Sequence, residues 1–417
     1  MAMIKTAVKG MKDVMPDEMR LRNYVMGVIR STYESYGFTQ IETPAVEHIE
    51  NLCSKQGGEN EKLIFKIMKR GNKLDMSNAK TENDLADSGL RYDLTVPLCR
   101  YYSAHSAELP APFKALQMGN VWRADQPQKG RFRQFMQCDI DILGDPSNLA
   151  EIELILAMST VLGKLDFKGF NIRINDRRIL KAMASYAGFK EEDYDGVFII
   201  LDKMDKIGAE GVAEELKAAG YEGDAAKYLS LFEALKDLSG TAALDKLSEL
   251  MGEVLPAESR QNLDEIFRAV NGAKKADFEL VFDPTLVRGM SYYTGTIFEV
   301  ELKEFGSSCG GGGRYDEMVG RFTGQSAPAC GFSVGFERII TILMDKGYKV
   351  PGDEGKTAFL LEKGLDAESI SAAMAEAESL RAEGRSVLTA RMAKNKKFQK
   401  EQLAAQGYTD IKEFFRK

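Results

Sequence analysis

The chain has 417 residues, of which 44% are hydrophobic and 29% are charged, and its formal net charge is −7. These values are typical of a globular protein with two or three domains, and they exclude a strongly basic surface for nucleic acid, so any such binding requires local basic patches. The sequence contains neither a run of 18 apolar residues nor a secretory signal at its start, which argues against a membrane span and favours a cytoplasmic protein.

Cysteine and histidine content argues against a metal site. The five cysteines form no CxxC pair, and the chain has only two histidines, so we expect no zinc and reduced thiols packed as small apolar groups. The residues are Cys53, Cys99, Cys138, Cys309, Cys330, His48 and His105.

The first 169 residues alternate between helix and strand patterns. Pro16 opens an amphipathic helix, and Gly37 is a suitable stop. The following FTQIETPAVEHI predicts a strand interrupted by Pro44, which belongs at a sheet edge or an interface. LRYDLTVPLCRYY predicts a further strand.

Residues 121–144 predict a hairpin whose second strand has two distinct faces, because side chains alternate along a strand. One face carries charges of both signs, and the other is apolar. Such a hairpin suits an anionic nucleotide beside a zwitterion, but an ordinary antiparallel sheet with one wet face fits equally well. The charged face comprises Arg131, Arg133, Gln137, Asp139 and Asp141; the apolar face comprises Phe132, Met136, Cys138, Ile140 and Ile142.

Composition changes along the second half of the chain. Residues 170–275 predict short amphipathic helices, which we interpret as a helical insertion because strand patterns resume after it. The predicted domains are therefore a core in two parts (1–169 and 276–350), the insertion (170–275) and, after a linker, a small βαβα domain (356–417).

Three arginines stand in settings that suit an anion. Arg123 opens the hairpin loop, Arg288 precedes a glycine in LVRGMSYYTG, and Arg338 lies in the first turn of a helix after GFSVGFE. Tyr292 and Tyr293 offer hydroxyls beside Arg288, although a surface cation and ordinary strand tyrosines explain the same residues. The glycine run 310–313 lacks P-loop spacing and predicts close backbone packing or a floor beneath a ligand.

Five segments in order resemble the class II aminoacyl-tRNA synthetases and, within them, the histidyl-tRNA synthetases. GMKDVMPDE through Pro44 resembles the dimer-forming first motif, RADQPQKGRFRQFMQCDID the second and GFSVGFERI the third, while LVRGMSYYTG and GGGRYD resemble signatures of the histidine enzymes. RYDLTVPLCRYY and QCDID are closest to the eukaryote-like branch. The resemblance implies an α+β fold, with an antiparallel sheet flanked by helices, a helical insertion and a small C-terminal α/β domain.

The resemblance also implies an activity and roles for residues. The enzyme would activate histidine with ATP and Mg²⁺, transfer it to tRNA(His), and act as a homodimer. Arg123 and Arg288 would hold the α-phosphate and the histidine carboxylate as catalytic residues, Arg338 the γ-phosphate, and Asp125 would lie near adenine. The histidine-binding set would be Asp93, Thr95, Gln137, Asp141, Arg288, Tyr292 and Tyr293.

Three departures from the family pattern bear on these roles. Ser291 stands where an aspartate is usual, and Asp125 replaces a longer glutamate. The C-terminal domain resembles an anticodon-binding domain shortened by its last strand or two. Within it, Lys394, Lys396 and Lys397 suit RNA phosphates, although a solvated helix face is the commoner explanation for such a cluster.

Two other functions remain open from the sequence. One is the regulatory subunit of ATP phosphoribosyltransferase, a non-catalytic paralogue of this fold that binds histidine. The retained Arg123, Arg288 and Arg338 favour the ligase over it. A class II synthetase for another amino acid is the third candidate, and Asp141 with the tyrosine pair argues against it.

Overall fold

The computed structural model describes residues 3–53, 60–128, 130–287, 293–302, 307–351 and 355–416. The chain forms two compact units. The first comprises Met1–Asp13 and Val25–Ile342, and the second comprises Val14–Tyr24 and Leu343–Lys417. Among the described residues, no helix combines the length and apolarity that crossing a membrane requires.

The β-strands are short at the start of the chain and longest in the predicted hairpin. They are β1 (Thr39–Gln40), β2 (Val46–His48), β3 (Lys66–Met68), β4 (Ala86–Leu90), β5 (Phe113–Trp122), β6 (Gln134–Leu143), β7 (Phe170–Asp176), β8 (Phe278–Phe282), β9 (Thr296–Leu302), β10 (Ser307–Arg314), β11 (Ala329–Val334), β12 (Lys356–Leu361), β13 (Val387–Arg391) and β14 (Tyr408–Phe414).

The α-helices lie mainly between β6 and β8 and in the second unit. They are α1 (Pro16–Ser35), α2 (Ile49–Leu52), α3 (Thr95–His105), α4 (Leu149–Lys164), α5 (Arg177–Tyr186), α6 (Tyr194–Leu201), α7 (Met204–Ala218), α8 (Ala225–Leu235), α9 (Gly240–Met251), α10 (Ala257–Ala273), α11 (Asp316–Thr323), α12 (Phe336–Asp345), α13 (Ala367–Ala382) and α14 (Lys396–Ala405). Short 3-10 helices cover Asn60–Leu63, Gly71–Lys73, Glu82–Leu85, Glu191–Asp193 and Gly252–Val254.

An eight-stranded sheet forms the centre of the first unit, in the order β1-β5-β6-β11-β10-β9-β7-β8. The five inner pairings are antiparallel, and the two outermost, β1 with β5 and β7 with β8, are parallel. Helix α4 packs a broad apolar surface against the sheet, with Leu154, Ile155 and Val161 fully buried. The predicted fold class is therefore confirmed: an antiparallel sheet flanked by helices, with a small C-terminal sheet.

The segment LRYDLTVPLCRYY is not a strand, as its apolar residues had predicted, because residues from Thr95 onward form helix α3. The Asp93 carboxylate accepts a hydrogen bond from the Val96 amide at 3.0 Å, which satisfies a donor that the first helical turn leaves open. Pro97 also lies in that turn, where its missing N–H costs no helical hydrogen bond. The apolar run is buried as one side of a helix.

Two other boundaries differ from the sequence predictions. The predicted strand around Pro44 is two strands in different sheets, since β1 joins the large sheet and β2 pairs with β4 in a separate three-stranded sheet. Proline has no amide hydrogen to continue a ladder, which explains the break. The predicted insertion began at residue 170, but Phe170–Asp176 is a strand of the large sheet, with Ile172 and Ile174 buried. The division into four domains stays a prediction.

The second unit contains a parallel sheet in the order β13-β12-β14. The predicted strand-helix-strand-helix succession is present, and β14 follows it as a third strand. Alternate residues of β12 face opposite sides: Phe359 packs with Ala373 of α13, whereas Leu360 packs with Leu403 of α14. Both faces of this sheet are covered by helices, as parallel sheets require.

A buried ion pair joins α4 to the end of β10. Glu151, 1% exposed, accepts hydrogen bonds from Arg314 at 2.8 and 2.6 Å, and Arg314 also donates to the carbonyls of Asp145 and Ser147. Burial alone would lower the pKa of the Arg314 guanidinium, but the hydrogen bonds and charge of Glu151 raise it.

We expect Glu151→Gln to lower the free energy of unfolding by about 1–3 kcal/mol, because it leaves the buried guanidinium without a compensating charge. Urea denaturation measures the change. Glu249→Gln is the control, since Glu249 pairs with Lys246 on an exposed helix surface and its loss should cost less than about 0.5 kcal/mol. Equal effects of the two substitutions would contradict the stabilising role of the buried pair.

Candidate functional site

A cavity of about 620 Å³ lies over the middle of the eight-stranded sheet. Its walls come from the start of α3, the loop between β5 and β6, the strands β6, β10 and β11, and the first turn of α12. Segments distant in the sequence therefore meet here, and each contributes polar side chains.

Most of the predicted site residues line this one cavity. Arg288 and Tyr292, together with Ser291, lie outside the described residues, so their predicted roles stay predictions. Lys394, Lys396 and Lys397 are exposed in the second unit. The predicted residues that line the cavity are Asp93, Thr95, Arg123, Asp125, Gln137, Asp141, Tyr293 and Arg338.

Arg123 is held in place from three sides. Its Nε donates to the Tyr92 carbonyl at 3.0 Å, and its guanidinium lies over the rings of Tyr92, 4.2 Å from the centroid, and Phe135, at 5.2 Å. Stacking between two rings restricts the side chain, so little rotamer entropy remains to be lost when it binds an anion.

Hydrogen bonds from two arginines to Asp125 link the two sides of the loop that follows Arg123. Arg131 donates to the Asp125 carboxylate at 3.2 Å, and Arg133 donates to the Asp125 carbonyl at 3.0 Å. Asp125 thus faces the cavity while paired with a half-exposed arginine. The sequence prediction that Asp125 lies near adenine did not include this pairing.

Strand register places Arg338 at the same end of the cavity as Arg123. Strand β11 runs antiparallel to β6, and its last residue, Val334, pairs with Cys138. Arg338 follows within the first turn of α12, where Glu337 accepts a hydrogen bond from the Met136 amide at 3.1 Å. The start of α12 therefore lies beside the end of β6 that adjoins the β5–β6 loop, which we call the loop end. Arg123 and Arg338 both lie at this end of the cavity.

The charged face of β6 runs from this loop end deeper into the cavity. Gln137, Asp139 and Asp141 follow one another at intervals of about 6.6–6.8 Å, because each is two steps along the strand from the next. They are only 7%, 3% and 3% exposed, so the interpretation as an ordinary wet face is wrong for these three residues, although Arg131 near the loop is exposed. Within the described part of the chain, Gln137 Oε1, Asp139 Oδ1 and Asp141 Oδ2 are buried without a hydrogen-bond partner. Buried unsatisfied acceptors are costly, and three together indicate a missing donor.

Burial shifts the protonation of these carboxyl groups. Burial raises the pKa of Asp141 to about 7, with the charge of Asp93 adding to it and a hydrogen bond from Tyr315 opposing it. Burial, and then the charge of Asp141, raise the pKa of Asp139 well above its usual value, and burial raises the pKa of Asp93 as well. A cationic ligand would lower all three values, so the site favours a positively charged group.

Two residues at this end were missed by the sequence analysis as site residues. The Tyr315 hydroxyl donates to Asp141 Oδ1 at 2.5 Å, and Tyr315 lies within the quoted GGGRYD, which was the only signal for it. Gly331 faces Asp141 across the sheet, and a Cβ there would lie 1.9 Å from Asp141 Oδ1. Tyr315 orients one carboxylate oxygen, which leaves Oδ2 to face the cavity.

The glycine run contributes backbone to the cavity. Gly310, Gly311 and Gly312 line it, and a Cβ at Gly312 would lie 2.0 Å from the Gly331 carbonyl oxygen. A Cβ at Gly310 would lie 2.9 Å from the Ser333 carbonyl oxygen and one at Gly311 would lie 3.3 Å from that of Phe298, so the run supplies both the close packing and the floor that the sequence predicted.

The raised pKa of Asp141 predicts a pH-dependent stability. Its pKa is about 7 in the folded protein and about 3.9 when unfolded, so its contribution to the free energy of unfolding is present below about pH 4 and lost as the pH rises through about 7. We expect Asp141→Asn, which can still accept from Tyr315, to be more stable than the parent at pH 8 by more than about 1 kcal/mol. Urea denaturation at pH 5 and pH 8 measures this. The exposed Asp237→Asn is the control, and a parallel shift in both variants would contradict the prediction.

The described residues contain no group of three His, Cys, Asp or Glu side chains that would hold a metal ion by themselves. The cavity instead has cations at the loop end and acceptors deeper along β6. This arrangement suits two ligands or ligand parts, an anion at the loop end and a cation or hydrogen-bond donor below it.

Comparison with known proteins finds a family and relatives that match most of the chain. The family model described as histidyl-tRNA synthetase matches residues 10–339. A protein of Leifsonia xyli subsp. xyli (strain CTCB07) named "Histidine--tRNA ligase" is 43% identical over 411 residues, which are 97% of this chain and 94% of that protein. A protein of the same name from Christiangramia forsetii is 37% identical over 362 residues, 83% of this chain and 78% of its own.

Solved structures show the same fold. The structure described as histidyl-tRNA synthetase from Nostoc sp. PCC 7120 superposes with a TM-score of 0.79 at 29% identity, covering 97% of this chain and 90% of that one. A Bacillus halodurans structure, described as an ATP phosphoribosyltransferase regulatory subunit/histidyl-tRNA synthetase, gives a TM-score of 0.81 over the whole of both chains. Its identity is 22%, so it supports the fold alone.

Proposed function

We propose, from the premise that this chain belongs to the histidyl-tRNA synthetase family and is a histidine--tRNA ligase, that the cavity over its large sheet binds histidine and ATP side by side. The observation that carries the proposal is the polarity of the cavity. Arg123 and Arg338 lie at the loop end, and three buried acceptors without partners among the described residues lie deeper along β6. Phosphates match the first group, and the ammonium and imidazole of histidine match the second.

In the proposed reaction, a carboxylate oxygen of histidine attacks the α-phosphorus of ATP, and the bond to the leaving pyrophosphate breaks. A terminal ribose hydroxyl of tRNA(His) then attacks the carbonyl carbon of the histidyl-adenylate, and AMP leaves as the hydroxyl proton is lost. The first step needs no general base, because the carboxylate is already a nucleophile. It needs cations that bring two anions together, and Arg123 with Arg288 would supply them.

The histidine would lie along β6. Asp93, Thr95 and Gln137 would accept hydrogen bonds from its ammonium, and Asp141 would accept from one imidazole nitrogen. A hydroxyl from Tyr292 or Tyr293 would serve the other nitrogen. An imidazole needs partners for both nitrogens, and a ligand that leaves Asp141 unpaired loses about 1–3 kcal/mol, which would discriminate against other amino acids.

The ATP would lie at the loop end, with Arg338 on the γ-phosphate and Asp125 near adenine. Mg²⁺ binds proteins through one or two carboxylates together with substrate phosphates. The cavity wall offers Glu337, beside Arg338, as its carboxylate. When bound, the ion would neutralise phosphate charge.

The test is histidine-dependent exchange of labelled pyrophosphate into ATP with saturating Mg²⁺ and ATP. We expect exchange with histidine and background levels with other amino acids. Background levels with histidine would reject the proposal and favour the regulatory subunit, which binds histidine without activating it. Curated relatives named as histidine--tRNA ligases over most of the chain support the ligase.

A basic cluster in the second unit would bind the tRNA. Lys394, Lys396 and Lys397 are exposed, and Lys396 lies 4.6 Å from the centroid of the Phe415 ring. Phe398 and Phe415 are more than half exposed, so cations and flat rings occur together on this unit, a combination that single-stranded RNA favours.

Replacing these three lysines with alanine should raise the KM for tRNA about tenfold and reduce its salt dependence, because fewer counterions are released on binding. Pyrophosphate exchange should not change. Aminoacylation over a range of salt concentrations measures both effects. A matched triple variant, Lys217, Lys236 and Lys246 to alanine, removes the same charge from α7, the C-cap of α8 and α9 of the first unit, and an equal effect there would contradict the prediction.

We further propose a homodimer formed through the segment around Pro44. Within the described residues, strand β2, which follows this proline, pairs with β4 alone, and its Val46 is 46% exposed. Light scattering should give about twice the chain mass of 46.3 kDa. A mass of one chain at micromolar concentration would reject the dimer.

We also place the enzyme in the cytoplasm, because charged tRNA(His) is used there in translation.

A further inference from the structure

The side-chain amide of Gln137 is oriented by two acceptors on its nitrogen side. Its Nε2 donates to Asp139 Oδ2 at 3.2 Å and to Ser333 Oγ at 2.9 Å. Both amide hydrogens are therefore used, and Oε1 is the buried oxygen that has no partner among the described residues. Gln137 lines the cavity, so this oxygen is available to a ligand.

Asp139 determines which of the two amide atoms of Gln137, the oxygen or the nitrogen, faces the cavity. Burial raises the pKa of Asp139 in the empty site, but a bound cation lowers it, so in the complex the ionised carboxylate only accepts hydrogen bonds, whereas the Ser333 hydroxyl can either donate or accept. With serine alone, the glutamine amide could rotate by 180° and present its nitrogen to the ligand. The carboxylate makes that rotated state unfavourable, because an amide oxygen would then face a carboxylate oxygen.

The surroundings of Asp139 leave it available for this role. Across the sheet it lies opposite Ser333 on β11 and Gln117 on β5. The Gln117 amide is committed elsewhere, donating to the Leu94 carbonyl at 3.1 Å and accepting from Thr43 at 3.4 Å. Asp139 is 3% exposed, and its Oδ1 has no partner among the described residues. Among the described residues no arginine pairs with this carboxyl group, so its charged form is costly in the empty protein and gains an opposite charge when a cation binds.

We propose that Asp139 is a positioning residue that holds the Gln137 amide with its oxygen toward the α-ammonium group of the bound amino acid. The inference rests on the proposed function, in which Gln137 contacts the ammonium, and it adds a residue to which the sequence analysis gave no role. Asp139 thereby helps the site select amino acids over compounds that carry the imidazole and carboxylate but lack the ammonium.

The experiment compares two ligands by isothermal titration calorimetry: L-histidine and 3-(imidazol-4-yl)propionate, which lacks only the ammonium. In Asp139→Asn, the amide can donate as well as accept, so the orientation of Gln137 is lost. We expect the affinity for histidine to fall about tenfold or more, and that for the propionate to change less than about threefold. The preference for histidine over the propionate therefore collapses.

A double variant tests whether Asp139 acts through Gln137. In Gln137→Glu with Asp139→Asn, the asparagine donates to the new carboxylate, whose second oxygen faces the ammonium. The total charge is unchanged, and we expect histidine affinity to recover to within about threefold of the parent protein. If the single variant is selective but the double variant does not recover, Asp139 acts by its own charge and the positioning role is overturned.

Two further results would also overturn the inference. Equal weakening of both ligands in Asp139→Asn would indicate a structural role, and unchanged affinities would indicate no role. Binding of the propionate also reports that the variant cavity is intact. If the parent protein itself fails to bind histidine, the proposed function fails instead, so the two failures are distinguishable.

Discussion

Arg123→Gln should lower histidine-dependent pyrophosphate exchange by about 10²–10³-fold, the usual cost of removing one donor that stabilises charge in a transition state. The guanidinium is fixed between Tyr92 and Phe135 and needs no reorganisation to meet a phosphate. The loss should appear in kcat more than in the KM values, because charge on the transferring group is largest in the transition state. Steady-state exchange kinetics measure both parameters.

Two variants separate this effect from a general loss of charge. Arg123→Lys retains the charge without the planar fork and should fall between the parent and Arg123→Gln. Arg268→Gln removes an arginine that is 77% exposed on α10 and pairs with Asp264, and it should exchange at the parent rate. If Arg123→Gln kept more than about a third of the parent kcat, the proposed contact with the α-phosphate would be wrong.

Asp141→Ala should raise the KM for histidine about 10–100-fold and leave the KM for ATP within about threefold of the parent value. The substitution removes the buried acceptor for an imidazole N–H and also leaves the Tyr315 hydroxyl without its partner. ATP would lie at the loop end of the cavity, several residues along β6 from Asp141, so its binding should be little affected. Varying each substrate at saturation of the other gives the two constants.

A substitution at the loop end of the cavity provides a control that should affect ATP more than histidine. Arg338→Gln should raise the KM for ATP more than the KM for histidine, because it removes a cation near the start of α12. Opposite preferences of the two variants would support the proposed placement of the substrates. Equal changes in both constants for Asp141→Ala would mean that the imidazole lies elsewhere in the cavity.

Local patterns in the sequence were sufficient to predict several of the strands and helices that carry the site. The alternation after residue 131 predicted which side chains of β6 share a face, because side-chain direction along a strand depends only on residue parity. The strand of small residues in GFSVGFE, followed by a helix, predicted Arg338 in a first helical turn. The C-terminal succession of two strands and two helices followed from hydrophobic periodicity alone, although β14 was not predicted.

The sequence failed where a local pattern had two solutions. LRYDLTVPLCRYY fits a strand by composition, and it forms a helix because Asp93 satisfies its first turn and its apolar residues find a partner in the fold. Residues 170–176 were assigned to the helical segment, yet they add a strand to the large sheet. In both cases the deciding interaction is non-local, so no short window of sequence contains it.

By itself, the sequence determined the family, the fold class and the polar face of the hairpin, since these depend on residue types and their spacing. Only the tertiary structure decided that Gln137, Asp139 and Asp141 of this face are buried, that Arg338 lies beside the loop of Arg123, and that Tyr315 and Ser333 hold Asp141 and Gln137. The physical reason is that burial and hydrogen-bond partners are set by strand register. The pairing of β6 with β11 brings together residues nearly two hundred positions apart.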